Sequence, residues 1–468
     1  MKSRTLLILF AIVLVLLAYV YFFEFKGKAA RQEAKEKAAK LVDVSADDVQ
    51  AVTFKKEGAT IAFKKDDKGT WSLTQPLAAN ADENEVSNFV DSFVSLTPDR
   101  TVEEAPKDLK AYEIPKMEVT LELKSGKPPV KLLVGMENPL DKSFFAKRED
   151  QAKVVLLGSS LKSSLDKTLF DFRQKDVFKF ETDKVKTIAL KAKDVAWQAE
   201  RKDADWFLAK PFSVMAKKTS VESLLNTLSE LKAKSFVSED KKPDEVAKFK
   251  LDKPDYEVRL RLPASNQEVA FALHKLDDKV YATTSASTKI VEVESSALTD
   301  LEKKPDEYQE KQVAVFSSWE AVKLVLKKGG VALTVAKDKD ENWRIEAPFK
   351  SEADGDKVET LIRKIESLEA AGFIIPPITL KDDGLASPQA EVAVTVKELG
   401  ADDKAKEREI RLLVGREDTE KKQVVVKNAG LDYLFWVDSE FLKEFPAKAE
   451  DWKPAPPPEE TKKAEEKK

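Results

Sequence analysis

His274 is the only histidine in this chain of 468 residues, and it lies in the stretch F-A-L-H-K. A Ser/His/Asp catalytic arrangement would have to use this imidazole as its base. No G-x-S-x-G sequence accompanies it, and its neighbours alternate in the way that predicts a β-strand. We therefore interpret His274 as a strand histidine rather than as a catalytic base.

Two acidic clusters are candidates for calcium binding, A-D-E-N-E at 81–85 and A-D-G-D-K-V-E at 353–359. The second lacks the D-x-[DN]-x-[DN]-G spacing and the distal glutamate of an EF-hand loop. Both precede a predicted helix, where Asp and Asn side chains cap free N–H groups. No Walker loop, G-x-G-x-x-G motif or isolated carboxylate pair stands out. We therefore expect no catalytic, cofactor-binding or metal-binding residues, and a protein that is not an enzyme.

The composition bounds the class of protein. The chain is long enough for about three domains, and its 80 basic residues are balanced by 84 acidic ones, so nothing favours nucleic-acid binding. It contains no cysteine, which excludes disulfides, thiolate metal sites and cysteine nucleophiles.

Residues 5–23 form an uncharged apolar run that follows Lys2 and Arg4. As a helix, the run would span roughly 28 Å, close to the thickness of the hydrocarbon core of a bilayer. A cleaved signal peptide is the rival interpretation, but the run is longer than an h-region and Y-V-Y-F-F offers no small-x-small site. We predict a single-pass transmembrane helix. Lys2 and Arg4 favour a cytoplasmic tip at 1–4 and an extracytoplasmic body, although the basic residues of 26–35 favour the opposite orientation.

The elements that follow repeat along the chain. The stretch W-S-L-T-Q-P at 71–76 returns as W-F-L-A-K-P at 206–211 and as W-R-I-E-A-P at 343–348. Ten residues after each proline begins a stripe of apolar residues at helical spacing, which starts at Val86, Val221 and Val358. An alternating apolar strand follows a second proline, at Pro115, Pro254 and Pro388.

These offsets predict three tandem repeats of about 136 residues, at 44–180, 181–316 and 317–452. Strands joined by tight turns and interrupted by helices indicate an α+β fold with mostly antiparallel sheet. Outside the repeats, we predict a helical stalk at 24–43 and a disordered Pro/Lys/Glu tail at 453–468.

The repeated motif is interpreted as structural. A tryptophan and the Leu or Ile two residues later point to the same face of a strand, so the indole belongs to a core. Proline lacks an N–H group and ends the strand. The predicted core residues of the three repeats are Trp71, Leu73 and Pro76, then Trp206, Leu208 and Pro211, and finally Trp343, Ile345 and Pro348.

The sequence resembles a bacterial family of membrane-anchored proteins called domain of unknown function 4340. The apolar N-terminal run, the W-x-[LI]-x-x-P motif, the helix start that follows it and L-x-x-P at 251–254 and 385–388 carry the resemblance. The first repeat departs from it with Y-E-I-P at 112–115. Members are often encoded beside gliding-motility-type ABC transport permeases. The resemblance therefore implies an accessory role near a transporter in the bacterial cytoplasmic (inner) membrane.

Three functions remain open from the sequence. The first is a membrane-anchored interaction protein whose partners are membrane or envelope proteins such as an ABC-type permease. The second is a glycan- or solute-binding module that uses grooves between domains. It predicts exposed aromatic residues outside the shared motif, for which Trp197, Trp319 and Trp452 are candidates. The third, a hydrolase, predicts carboxylates that converge in a cleft.

Overall fold

The computed structural model describes residues 40–94, 96–262, 267–376, 382–399 and 405–454, with the single residues Phe10 and Tyr21. The predicted tip at 1–4, almost all of the predicted span at 5–23, the stalk up to residue 39 and the tail from 455 lie outside these residues. Within the described ranges, no helix is both long enough and apolar enough to cross a bilayer.

Each repeat folds around one nine-stranded sheet. The strands of the first sheet are β1 Val49–Lys56, β2 Ala59–Lys65, β3 Trp71–Gln75, β4 Ala79–Asn80, β5 Arg100–Glu103, β6 Met117–Leu123, β7 Val130–Glu137, β8 Phe144–Arg148 and β9 Val154–Leu157. Those of the second are β10 Thr187–Ala192, β11 Val195–Lys202, β12 Asp205–Lys210, β13 Val214–Met215, β14 Ser235–Ser238, β15 Tyr256–Leu262, β16 Gln267–Leu276, β17 Lys279–Thr284 and β18 Ile290–Val293. Those of the third are β19 Ala321–Lys328, β20 Val331–Lys337, β21 Trp343–Ala347, β22 Ser351–Glu352, β23 Ala370–Ile374, β24 Ala390–Leu399, β25 Ala405–Asp418, β26 Gln423–Asn428 and β27 Leu434–Asp438.

The strand order is the same in all three sheets. In the first it is β4-β3-β2-β1-β6-β7-β8-β9-β5, and the other two repeat this order strand for strand. Neighbouring strands are antiparallel, as the tight turns at residues 57–58, 193–194 and 329–330 require. The tandem-repeat part of the predicted α+β fold is therefore confirmed.

In the described ranges between residues 40 and 454, the α-helices lie between the strands or follow them. They are α1 Glu83–Val94, α2 Lys162–Leu165, α3 Leu169–Phe172, α4 Lys218–Ser229, α5 Pro243–Lys248 and α6 Gly355–Glu366. The three long ones, α1, α4 and α6, each connect the two edge strands of their sheet, so each crosses a sheet face. Their apolar stripes are buried because they pack against that face. Short 3-10 helices close the repeats at Ser159–Leu161, Ser295–Leu298 and Ser439–Glu444.

The chain divides into two compact units, Met1–Lys175 and Asp176–Lys468. The first unit holds the first repeat, whose sheet and helix enclose an apolar core that includes Phe54, Phe89 and Phe172. The second unit holds both remaining repeats, and a single continuous apolar core runs through them. The second and third repeats are therefore packed together as one body.

Each repeat begins with a short segment, before its first strand, that forms a backbone hydrogen bond with the loop after its long helix. The hydrogen bonds run from Leu41 N–H to Leu96 O at 2.8 Å, from Val177 to Leu231 at 2.9 Å and from Val313 to Leu368 at 2.9 Å. Leu41 and Val42 are each 1% exposed, so they belong to the core of the first repeat rather than to the predicted stalk. The structure thus starts the repeats a few residues before the predicted boundaries, because these apolar residues are buried by the domain that follows.

Each repeat ends on an aromatic residue that is tied to the start of its own long helix. The backbone carbonyls of these residues accept N–H bonds of 2.8–2.9 Å. The donor and acceptor pairs are Asp82 with Phe172, Lys217 with Tyr308 and Asp354 with Trp452. Because these aromatics are buried, closure of each repeat is part of its core packing.

A polar bond also joins the second and third repeats. The hydroxyl of Tyr433 in the third repeat accepts the N–H of Met215 in the second repeat at 3.0 Å. Tyr433 is only 3% exposed. Its hydrogen bond therefore satisfies a backbone donor of the second repeat from within the packed body.

Candidate functional site

The repeated tryptophans occupy the same place in each sheet. Trp71, Trp206 and Trp343 are 2%, 0% and 6% exposed. The Leu or Ile two residues later is also buried. Each motif proline follows its strand after a cis peptide bond and is exposed, so the prediction that Pro76, Pro211 and Pro348 are core residues is wrong; they lie beyond the part of the strand that enters the core. A cation lies over each indole, 4.7–5.5 Å from the ring centroid, and the three are Lys65, Arg201 and Lys337. The arrangement stabilises the strand and exposes little of the ring to a ligand.

The residue considered for catalysis lies within a strand, and the acidic clusters considered for calcium binding lie at the starts of helices. His274 is 9% exposed on β16, and its Nδ1 lies 3.2 Å from a carboxylate oxygen of Asp255. Glu83 accepts the N–H of Trp71 at 2.7 Å, and Asp354 caps α6 by accepting the N–H of Lys357. Among the described residues, no three acidic or histidine side chains are grouped closely enough to hold a metal ion.

The three tryptophans predicted to be exposed, Trp197, Trp319 and Trp452, differ in their burial. Trp197 is 2% exposed, with its ring 4.3 Å from that of Tyr308, and Trp452 is 3% exposed. Neither offers a binding surface, so for these two the prediction of an exposed aromatic is wrong. The cause is that each fills the interior of its own repeat. Trp319 is 77% exposed.

Trp319 stands where the other repeats have aspartate. A 3-10 turn precedes the first strand of each sheet, at Ala46–Asp48, Thr182–Lys184 and Ser318–Glu320. Its middle residue is Asp47, Asp183 or Trp319, and all three are exposed. Since the fold of the turn tolerates aspartate twice, the indole is not needed to form it.

A polar groove of about 670 Å³ lies beside the long helix of the first repeat. Asn88 and Ser92 line it from α1, and Ser160, Ser164 and Lys167 line it from the closing segment. Lys167 is ion-paired with Glu85, which also lines the groove. Hydroxyl and amide groups therefore face a cavity of the size that takes a small polar ligand.

In the second repeat, a buried carboxylate occupies the corresponding position between the long helix and the closing segment. Asp300 is 6% exposed, and it accepts hydrogen bonds from Ser223 at 2.8 Å and Thr227 at 3.0 Å. Lys303 forms an ion pair with the same side chain. Burial acts to raise the pKa of Asp300, but the bonds from Lys303, Ser223 and Thr227 outweigh it and hold the pKa below its ordinary value.

The third repeat has Glu444 at this position, eight residues before its closing aromatic Trp452, and the side chain of Glu444 is exposed. Phe441, Leu442 and Phe445 are 5–7% exposed in and beside its closing 3-10 helix, and the two phenyl rings are 5.8 Å apart. The three repeats thus share a fold but differ in chemistry at one place. Sequence reasoning missed this place, although the serine-rich stretch S-S-L-K-S-S at 159–164 was a visible signal.

The solved structures that align with the chain include DNA polymerase sliding clamps. A DNA polymerase sliding clamp from Pseudomonas aeruginosa with ligand is 8% identical, with 86% of this chain and 95% of that chain covered and a TM-score of 0.19. DNA polymerase III subunit beta from the same organism is 7% identical, with the same coverage and a TM-score of 0.18. Scores this low carry no argument about fold or function. A search of curated proteins finds no match.

A family model, described as "Domain of unknown function (DUF4340)", matches the chain three times, at residues 71–243, 206–388 and 343–454. Each match begins at the repeated tryptophan of one sheet. The first two continue into the repeat that follows, so the family unit is longer than one period of this chain. The matches together span well over half of the 468 residues. The chain belongs to the DUF4340 family.

Proposed function

We propose that the protein is a membrane-anchored, extracytoplasmic interaction protein and an accessory component of an ABC-type transport or envelope system. The predicted anchor at 5–23 would place its partners in or beside the bacterial cytoplasmic membrane. In this proposal the repeats bind other proteins and catalyse no reaction. The capping of α6 by Asp354 supports that part of the proposal.

The observation that carries the proposal is the exposure of Trp319, which is 77%. Two sister repeats keep a solvated aspartate at this position, so hydrophobic burial within the domain does not explain the tryptophan. Tryptophan is enriched among the residues that contribute most to protein–protein binding. A tryptophan on the surface of a packed two-repeat body is thus suited to anchor a partner.

The surroundings of Trp319 support the same use. Lys337, Glu359 and Arg363 line a small cavity of about 190 Å³ beside it, which supplies a charged rim. Leu399, at the end of β24, is 76% exposed. Because Ala321 pairs with Val396 in the antiparallel ladder, the turn that carries Trp319 lies at the same end of the sheet.

A photo-crosslinking amino acid at position 319 tests the proposal in native membranes. We expect a crosslinked membrane-protein partner, identified by mass spectrometry as a component of a transport or envelope complex. The matched control is the same amino acid at position 183, which occupies the equivalent turn of the second repeat. Equal crosslinking at both positions, or none at 319, would show that Trp319 does not mark the interface.

A second candidate function is the binding of a small solute. The observation that favours it is the polar groove of the first repeat, which lies within one domain and not between domains as the sequence suggested.

A further inference from the structure

The groove of the first repeat and the buried cluster of the second repeat are equivalent places. Ser164 precedes the closing aromatic Phe172 by eight residues, and Asp300 precedes Tyr308 by eight. Asn88 and Ser92 lie at the helix positions of Ser223 and Thr227, counted from Val86 and Val221. The partners that hold a carboxylate in the second repeat therefore have counterparts that line an open cavity in the first.

We propose that this groove binds a small hydroxylated carboxylate, such as a sugar acid, whose carboxylate takes the place of the Asp300 side chain. The proposal is independent of the interaction function, because the groove lies in the first repeat and Trp319 in the third.

The donor set supports a carboxylate. Lys167 is the counterpart of Lys303, five residues before the closing aromatic in each repeat. Asn88 supplies amide N–H donors where the second repeat has the Ser223 hydroxyl. The hydroxyl of Ser92 donates to the carbonyl of Phe89 at 2.7 Å, and rotation about χ1 frees it for a ligand.

Ser164 marks where the internal carboxylate is missing. It is 9% exposed and lines the groove. Its hydroxyl has no hydrogen-bond partner within the part of the chain that the structure describes. This hydroxyl faces the groove and can donate to the oxygen of a ligand there.

Glu85 sets the affinity by competing for the same cation. It is paired with Lys167, whereas the second repeat has the neutral Ser220 at the equivalent position, one residue before Val221. A ligand carboxylate must therefore share Lys167 with Glu85 or displace it. The three N–H donors of the ammonium group allow both carboxylates to be bound.

The rest of the groove selects for hydroxyl groups. Thr97, Ser160 and Asp99 line it away from the long helix. The carboxylate of Asp99 accepts hydrogen bonds and repels a second negative charge, so it favours the hydroxyls of a monocarboxylate over a dicarboxylate.

Calorimetry on the full-length chain with sodium glucuronate as the probe tests the proposal, with glucose as the neutral control of the same ring. We expect glucuronate to bind at least ten times more tightly than glucose. Ser164→Asp installs the internal carboxylate of the second repeat and should weaken glucuronate binding at least tenfold. Glu85→Ser copies the second repeat at the competing position and should strengthen it severalfold.

Ser159→Asp is the matched control, because it adds the same charge to the same segment at an exposed residue outside the groove lining. It should bind as the wild type does. Lys167→Met provides a second loss-of-binding variant if Ser164→Asp does not fold. The proposal is overturned if glucuronate does not bind, if glucose binds equally well, or if the folded groove variants bind glucuronate as the wild type does.

Discussion

The first and second repeats have the same strand order and the same long helix, yet they differ between that helix and the closing segment. In the second repeat, Asp300 holds the two together through Ser223, Thr227 and Lys303. In the first repeat the position is Ser164, and a groove remains open. The comparison teaches that the sheet and the apolar stripe of the long helix are enough to maintain the fold. The polar position between that helix and the closing segment can therefore stabilise the second repeat and bind a ligand in the first.

Removing the buried carboxylate should have the largest effect on stability. Asp300→Ala leaves the hydroxyls of Ser223 and Thr227 and the ammonium of Lys303 without their acceptor. We expect a loss of about 3 kcal/mol in the stability of the second repeat. Hydrogen exchange of the α4 amides measures it, because exchange reports the stability of one region within a multidomain chain.

Ser164→Ala is the matched control in the first repeat. Because Ser164 holds no comparable network, it should change the protection of the α1 amides by less than about 1 kcal/mol. Equal losses of stability in Asp300→Ala and Ser164→Ala would contradict the comparison, since both side chains would then be structural.

Acid should act on the second repeat through the same carboxylate. Burial opposes ionisation, but the bonds from Lys303, Ser223 and Thr227 leave the pKa of Asp300 below its unfolded value, near 4. Its contribution is therefore present above about pH 4 and is lost as the pH falls through the folded pKa. The protection of α4 should decline more steeply below pH 4 in the wild type than in Asp300→Ala. Parallel declines would show that other groups control the acid response.

The hydrogen bond between Tyr433 and Met215, which joins the third repeat to the second, should contribute less to stability than the Asp300 network. Burial raises the pKa of Tyr433 to about 12, with a further increase from Glu310, while the bond from Met215 N–H lowers it. Since the folded pKa exceeds the unfolded value near 10, the phenol stabilises the protein below about pH 10. This contribution of up to about 2 kcal/mol is lost between about pH 10 and 12.

Tyr433→Phe separates this bond from the other alkaline effects. At neutral pH it should cost about 1 kcal/mol, because the N–H of Met215 loses its acceptor. Above about pH 10 the variant should lose less stability than the wild type. Hydrogen exchange of the Met215 amide measures both the loss of stability at neutral pH and the dependence of stability on alkaline pH. An unchanged amide in the variant would mean that the shared apolar core alone joins the two repeats.

Much of the fold was accessible from the sequence, because its causes are local and repeated. The apolar stripe from Val86 predicted the helix now seen at Glu83–Val94, and W-S-L-T-Q-P predicted the strand at Trp71–Gln75. Each signal recurs near a period of 136 residues, so an error in one copy is corrected by the other two.

The parts that were missed depend on contacts far apart in sequence. Strand β5 pairs with β9, more than fifty residues later, and is only four residues long. The groove also needs α1 and the closing segment to be placed side by side. Asn88 and Lys167 are unremarkable until the sheet brings them together. The burial of Trp197 and Trp452 was equally inaccessible, since period and alternation do not show which partner covers a ring.

The exposed turn of the third repeat should show the smallest effect on stability. Trp319→Asp gives it the residue of the other two repeats, and a side chain already 77% exposed has little burial to lose. We expect the protection of the α6 amides to change by less than about 0.5 kcal/mol, while co-purification of the partner is lost. Asp183→Trp, the reciprocal variant, should leave stability unchanged and recruit no partner, because the charged rim of Lys337 and Arg363 belongs to the third repeat. If Trp319→Asp destabilises the third repeat by several kcal/mol, the indole is a structural residue, and the difference between the repeats at this turn concerns folding and not binding.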